Sequence, residues 1–306
     1  MIDTRRPLDG VAYGLMITLC LIWGFQQIIL KLAAADVTPV MQVALRSIVA
    51  AVLVAILMHR RGERVFFRDP TWKPGILVGC LFGTEYFLIA EGLRYTTASH
   101  MVVLIYTAPV FVALGLQWKV PSERMGWFQW LGVSLAFAGV VITFIGRETG
   151  TPELDRMLWG DIMGLLGGLA WAATTLAIRL SPLAREPVTK TLQYQMIMGS
   201  IILLLAAWVL GQFHFRASPM AWLSLFYQGI LVSFLSYLGW FWLLRNYLAS
   251  RLGVLSFLTP LFGVGFGVWI LDDPVSTSFL AGSIMVMSGI VMVSGYGWLR
   301  SRLARA

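Results

Sequence analysis

Two charged residues, Arg46 and Glu85, lie deep within long apolar stretches of this sequence. A charge at the centre of a membrane helix costs about 2.5–3.5 kcal/mol, so such residues are kept where they pair or act. At 1.5 Å per residue both lie roughly 12–14 Å from the same side of the apolar layer, which predicts an intramembrane Arg46–Glu85 pair. Three roles are consistent with it: locking two helices together, proton exchange at Glu85, or binding the ammonium or carboxylate group of a substrate.

A second set of candidates combines aromatic and polar side chains at helical spacing. Trp23, Gln26 and Gln27 share one face of the first apolar stretch through i, i+3 and i+4 spacing. The same face recurs later in the chain as Trp171, Thr174 and Thr175. Because amides facing lipid lose their water partners, these residues are expected to line a cavity or to bond another helix. We favour the cavity, with the tryptophans as flat walls and the amides as hydrogen-bonding groups for a bound solute.

Further cavity candidates come from three other apolar stretches. They are Tyr86, Tyr106, Ser233, Tyr237 and Trp240. Tyr86 and Tyr237 are equivalent at a shift of 151 residues, which predicts a tyrosine pair across a pseudo-twofold axis. Pro109 and Pro260 are equivalent too, and as interior prolines they would bend two helices as symmetric hinges, with static packing as the alternative.

The sequence lacks the motifs of several other kinds of chemistry. It contains no P-loop, so no nucleotide-driven transport is expected within the chain. Its three histidines and two cysteines match no metal-ligand spacing. No cofactor, no metal and no enzymatic activity are predicted, because an intramembrane enzyme would need a nucleophile and a base within reach of each other.

The composition explains why these residues lie in a membrane. Of 306 residues, 58% are hydrophobic and 12% charged, against roughly 25% charged in soluble domains. Each of ten apolar stretches is long enough for one spanning helix. They cover 10–34, 38–58, 74–94, 98–118, 126–146, 159–180, 188–211, 219–244, 250–271 and 275–298.

The net charge of +8 is explained by topology rather than by nucleic acid, which we exclude as a partner. If the chain starts in the cytoplasm, seventeen of its 23 lysines and arginines fall on that side. This bias predicts a multi-pass protein of the inner (plasma) membrane, with residues 1–9 and 299–306 as cytoplasmic tails.

An internal repeat organises the ten stretches. A shift of 148 places Trp23 on Trp171, and a shift of 151 places Pro109 on Pro260. The chain is therefore two five-helix units, 10–146 and 159–298. Because five is odd, the second unit must enter the membrane from the opposite side. The predicted fold is an all-α membrane protein whose ten transmembrane helices form two inverted five-helix repeats around a central cavity.

Several of these residues carry a family resemblance. They are Trp23-Gly24, Arg46, the run from Gly92 to Ala98, and Pro109, with echoes at Trp171, Leu244-Arg245, Ala249 and Pro260. Over nearly its whole length the chain resembles the drug/metabolite transporter superfamily in its ten-helix form with two EamA-type repeats. Within it, the aromatic content and the polar helix positions look most like YddG-type exporters of aromatic amino acids.

The resemblance implies export of small metabolites without a cofactor. The leading hypothesis is a secondary transporter that works by alternating access on amino acids with large or aromatic side chains. The expected partners are a small-molecule substrate and the lipid bilayer, and a monomer is expected. The alternatives are an exporter of other organic solutes or drugs, or a non-transporting membrane scaffold or sensor.

Overall fold

The structure is a computed structural model that describes residues 9–63, 69–119, 125–144, 152–247, 252 and 255–303. In the first half of the chain it has six helices: α1 (Gly10–Leu32), α2 (Pro39–Arg60), α3 (Trp72–Gly92), α4 (Ala98–Ile105), α5 (Ala108–Lys119) and α6 (Trp127–Phe144). The second half has α7 (Pro152–Arg179), α8 (Val188–Val209), α9 (Pro219–Phe226), a π-helical segment (Tyr227–Ser236), α10 (Tyr237–Asn246), α11 (Leu258–Leu271) and α12 (Thr277–Leu303). The α9, π-helical and α10 segments follow one another without a gap and form one span.

These helices have the lengths and surfaces of membrane spans. Among the described residues, seven spans are long and apolar enough to cross a bilayer, and three shorter apolar helices accompany them. Large side chains such as Trp118 and Trp269 expose 80% and 78% of their surface. Lipid is the solvent that tolerates such exposure, because it is as apolar as the side chains themselves. The prediction of an all-α, ten-helix membrane protein is confirmed.

The helices begin where the sequence supplies caps. The side chains of Asp9, Thr97 and Ser218 accept hydrogen bonds from the first-turn amides of α1, α4 and α9. Such caps satisfy amides that have no partner within the helix. Pro39 and Pro219 stand at the first position of their helices, where a missing N–H costs nothing.

Polar contacts mark the two ends of the bundle. At the end where α1 begins, the near end, the Tyr247 hydroxyl donates to Asp9, and Lys190 donates to Asp69 at 2.5 Å. The hydrogen bond from Lys190 lowers the pKa of Asp69 from 3.8 to about 2. At the opposite end, the far end, Ser218 donates to Asp36 at 2.5 Å. The directions of the helices follow: α1 runs from the near end to the far end, and α7 runs back.

The two halves of the chain are interleaved. Helix α1 packs against α11, and α7 packs against α4 and α5, which are the corresponding helices of the other half. Equivalent helices also meet directly, α2 with α8 and α6 with α12. Most helix contacts in the core therefore join a helix of one half to a helix of the other half.

The prediction that Pro109 and Pro260 lie inside helices is wrong. The fourth span is broken at Tyr106 and Thr107, so Pro109 is the second residue of α5, and Pro260 is the third residue of α11. In the first turn of a helix the missing N–H leaves no bond unmade, so these prolines start helices instead of bending them. The two breaks are nevertheless equivalent, because α11 also begins directly after a turn, at Ser256 and Phe257.

Candidate functional site

Arg46 is fully buried in α2, seven residues and about 10 Å from the start of the helix. Its Nη1 donates to the side-chain oxygen of Gln228 at 2.7 Å. Its guanidinium carbon lies 4.0 Å from the centre of the Tyr86 ring, a cation–π contact between α2 and α3. Nε and Nη2 are buried and have no hydrogen-bond partner among the residues that the structure describes. Gln228 therefore holds one edge of the Arg46 guanidinium group and Tyr86 covers one of its faces, whereas the Nε/Nη2 edge makes no hydrogen bond to the described residues. We call this the unused edge.

The expected direct Arg46–Glu85 ion pair does not form. Within the part of the chain that the structure describes, Glu85 makes no ion pair shorter than 4 Å and no hydrogen bond, although it is 94% buried. It still interacts electrostatically with Arg46, and it is the neighbour in sequence of Tyr86, on whose ring Arg46 lies. The two side chains were predicted to lie at one depth, but Gln228 and Tyr86 take the contacts expected of Glu85.

The two equivalent tyrosines meet in the core. The hydroxyl groups of Tyr86 in α3 and Tyr237 at the start of α10 are 3.0 Å apart. The structure therefore brings together residues that occupy the same position in each half of the chain. Phe82, one turn earlier in α3, packs on the Tyr86 ring with centroids 4.6 Å apart and widens this aromatic surface.

The two equivalent tryptophans have different partners. The Trp23 ring nitrogen donates to Ser236 at 2.8 Å, and the Trp23 ring packs edge-on against Trp240 at 5.8 Å. Trp171 packs edge-on against Tyr106 at 5.4 Å. The aromatic candidates thus form three contacting pairs: Trp23 with Trp240, Trp171 with Tyr106, and Tyr86 with Tyr237.

The polar candidates beside these tryptophans differ in their hydrogen bonding between the two halves of the chain. Thr174 and Thr175 donate to carbonyl groups one turn earlier in α7, so both hydroxyls are satisfied within their own helix. Gln26 and Gln27 are both 95% buried. The backbone carbonyl oxygen of Gln26 accepts from the Gln228 side chain, whereas Gln27 Oε1 has no hydrogen-bond partner among the described residues. Of the two equivalent sets, the one in the first half of the chain therefore contains a buried side-chain oxygen without a hydrogen-bond partner among the described residues, whereas both threonine hydroxyls of the second half are bonded.

Gln228 is the residue of this site that the sequence reasoning missed. It is fully buried, accepts from Arg46 and donates to the Gln26 carbonyl, so it links α1, α2 and the π-helical segment. The signal was available, since an amide within the apolar run Leu223–Val232 carries the same desolvation cost as Gln26. Ser233 lies five residues later, the spacing of a π-helical bond, and its buried hydroxyl makes no hydrogen bond to any described residue.

Two buried aspartates, Asp161 and Asp273, lie at the far end of the bundle. Asp161 contacts the Thr96 hydroxyl and lies 3.0 Å from His100 Nδ1. Asp273 accepts from both the backbone N–H and the hydroxyl of Ser99, each at 2.9 Å. Both carboxylates therefore hold the first turn of α4.

The arrangement suits binding better than reaction chemistry. No group of three or more His, Cys, Asp or Glu side chains that could hold a metal ion occurs among the described residues. What the centre offers is one buried cation, one buried carboxylate, unpaired hydroxyl and amide oxygens, and aromatic rings. Such a set can recognise a small solute with a polar head and an apolar body.

Comparison with known proteins gives the family. The EamA-like transporter family matches residues 10–145 and again 158–295. The chain is 23% identical to an uncharacterized transporter, YoaV, of Bacillus subtilis, over 90% of this chain and 94% of that protein. It is 26% identical to an uncharacterized transporter of Archaeoglobus fulgidus (94% and 98% covered) and 20% identical to an uncharacterized inner membrane transporter, YedA, of Escherichia coli strain K12 (92% and 90%).

A solved crystal structure has the same fold, with a TM-score of 0.65 at 19% identity over 97% of this chain and 99% of the other. The two matched segments fit a ten-helix architecture, because together they contain or overlap the seven long apolar spans and the three shorter apolar helices of the described residues. The protein is a membrane protein that belongs to the EamA-like transporter family.

Proposed function

We propose that the protein is a secondary transporter that exports amino acids with large or aromatic side chains by alternating access. The observation that carries the proposal is the meeting of Tyr86 and Tyr237, with Arg46 stacked on the same ring, in the buried centre of the bundle. Both halves of the chain thus contribute to one site that combines aromatic surface with polar groups. Trp23 with Trp240 and Trp171 with Tyr106 would extend its walls when the site opens.

Alternating access is supported by how the halves are related. Helices α6 and α12 are equivalent and antiparallel: Gly132 approaches Gly289, and Gly139 approaches Gly282. Helices α1 and α7 likewise run in opposite directions. Two inverted repeats can exchange their conformations, which opens a central site to one side or to the other at similar energy. The equivalent turns that precede α5 and α11 are the points at which these spans would bend during such an exchange.

The substrate proposal is tested with purified protein in liposomes. The solutes are phenylalanine, tryptophan, a sugar, a nucleotide sugar and a cationic drug. The variant Trp23→Ala removes one aromatic side chain from the proposed site. We expect saturable uptake of phenylalanine and tryptophan, reduced at least about tenfold in the variant, because burying an aromatic side chain against the Trp23 wall contributes about 1.5–3 kcal/mol. Transport of a sugar or a drug alone would contradict the substrate class and leave a transporter. Transport of no solute would favour a scaffold or sensor.

The orientation is proposed from charge, with both termini in the cytoplasm and the near end facing it. A fusion of alkaline phosphatase to the C-terminus in a bacterial host is expected to be inactive, because that enzyme folds only after export. A fusion of green fluorescent protein at the same position is expected to fluoresce. An active phosphatase fusion would reverse the assignment of the near end.

A further inference from the structure

The unused edge of Arg46 is a feature that transport of an apolar solute would not require. Nη1 donates to Gln228, whereas Nε and Nη2 are buried and have no hydrogen-bond partner in the described part of the chain. In a planar guanidinium group the Nε–H and one Nη2–H point in the same direction, with the spacing of the two oxygens of a carboxylate. A buried guanidinium group is most stable when all its donors have acceptors, so this edge is suited to an anionic partner during part of the protein's working cycle.

The neighbouring charge limits what that partner can be. Glu85 is buried, interacts electrostatically with Arg46, and makes no hydrogen bond or short ion pair within the described residues. The centre therefore holds one guanidinium and one carboxyl group. A phosphate dianion would bring excess negative charge beside the carboxyl group of Glu85, and an organic cation would be repelled by Arg46. A zwitterion adds no net charge, and it offers a carboxylate to Arg46 and an ammonium group to Glu85.

The groups around this pair fit the rest of an amino acid. Tyr86 lies under the guanidinium, with its hydroxyl against that of Tyr237, so an aromatic surface begins directly beside the charged groups. The unpartnered oxygens of Gln27 and Ser233 belong to segments joined to Arg46 through Gln228. They are acceptors that an ammonium group or its bridging water can use.

We propose that the Nε/Nη2 edge of Arg46 binds the carboxylate of a zwitterionic substrate and that Glu85 binds its ammonium group. The proposal rests on the proposed transport function and makes the substrate class more specific: a free α-amino acid rather than its amide, ester or amine. Gln228 acts as a positioning residue, because its bond to Nη1 turns the other edge of the guanidinium toward the ligand.

The first test uses the wild-type chain, so no variant needs to fold. Purified protein in liposomes transports labelled tryptophan while unlabelled tryptophan, tryptophanamide, tryptamine or indole-3-propionate competes. Loss of one charge-assisted hydrogen-bonded group is worth about 1.5–3 kcal/mol, so each compound that lacks the carboxylate or the ammonium group is expected to compete at least about tenfold more weakly. Equal competition by tryptophanamide overturns the role of Arg46, and equal competition by indole-3-propionate overturns that of Glu85.

The second test removes the recognising groups. In Arg46→Gln the preference for tryptophan over tryptophanamide is expected to disappear, and Arg46→Lys, which lacks the fork, should restore it only in part. Arg94→Gln is the matched control, since Arg94 pairs with Glu91 at the far end and should leave the preference unchanged. A preference that survives in Arg46→Gln overturns the proposal.

Thermal unfolding separates failure of this proposal from failure of the proposed function. The purified protein is heated with tryptophan or tryptophanamide and, in parallel, with leucine or leucinamide. If tryptophan is not transported but either free amino acid stabilises the protein more than its amide does, the proposed transport of aromatic amino acids is wrong and the charge recognition stands. If neither free amino acid stabilises the protein more than its amide does, the charge recognition is wrong whichever solute is transported.

Discussion

Replacing Gly289 with valine is expected to destabilise the protein by more than about 3 kcal/mol, because it forces two helix backbones apart. A Cβ at this position would collide with the carbonyl oxygen of Gly132 and would lie 2.6 Å from the backbone nitrogen of Ala136. These atoms belong to the backbone of α6, so no side-chain rotation can relieve the collision. We expect a much lower unfolding temperature in detergent and loss of the monodisperse peak in size-exclusion chromatography.

The chain offers a control and a counterpart for this variant. A Cβ at Gly265 in α11 would meet nothing within 4 Å, so Gly265→Val should unfold within a few degrees of the wild type. Gly139 is the counterpart in α6, because its Cβ would lie 2.6 Å from the Gly282 oxygen and 2.7 Å from the Val286 nitrogen. Gly139→Val should therefore resemble Gly289→Val. If Gly289→Val is as stable as Gly265→Val, α6 and α12 do not pack in the way described here.

The ten spans and the two-unit organisation could be predicted from sequence because each depends on a property that the chain carries locally. The apolar length of a stretch determines whether it can cross a bilayer, and the repeated Trp23/Trp171 and Pro109/Pro260 positions reveal the period. The tyrosine contact could be anticipated for the same reason. Residues related by a pseudo-twofold axis meet if they lie close to that axis, so the alignment of Tyr86 with Tyr237 suggested a contact between helices far apart in sequence.

The errors arose where the outcome depends on helix rotation and on helix ends. Counting residues gives the depth of Arg46 and Glu85 but not the direction in which each side chain points, and in the folded bundle Gln228 reaches Arg46 first. Similarly, an apolar stretch does not reveal that a span is broken. The turn at Tyr106 and Thr107 converts Pro109 from an interior residue into one in the first turn of a helix.

Asp161 and Asp273 show a third limit of sequence reasoning. Both stand close to the end of an apolar stretch, where a charge is ordinarily hydrated, and nothing local distinguishes them from exposed neighbours such as Asp155 and Asp272. Their burial depends on the start of α4, because Thr96, which precedes the helix, and Ser99 and His100 in its first turn are their partners. Only the tertiary arrangement reveals that these carboxylates belong to the core.

Asp273→Ala is expected to destabilise the protein by about 3–6 kcal/mol. The carboxylate accepts two hydrogen bonds from Ser99, and bonds to a charged group are worth about 1.5–3 kcal/mol each, in part because the buried donors are left unpaired. Asp273 also interacts electrostatically with Lys31 in the last turn of α1. The substitution therefore loosens a point where α1, α4 and the turn after α11 are joined. Thermal unfolding in detergent measures the loss.

The preceding residue provides the control. Asp272 is exposed and adopts a left-handed backbone conformation with φ of 52°, which asparagine tolerates, so Asp272→Asn should leave the stability unchanged. Asp273→Asn keeps one acceptor oxygen, and its stability is expected to fall between those of the wild type and Asp273→Ala.

A transporter that alternates must release its contacts at one end while keeping those at the other. If the far-end contact between Asp273 and Ser99 breaks during each cycle, the less stable Asp273→Ala variant should open the far end more readily, and a cysteine placed at Ser99 should react faster with a membrane-impermeant thiol reagent. An unchanged labelling rate would mean that this contact is a permanent part of the fold.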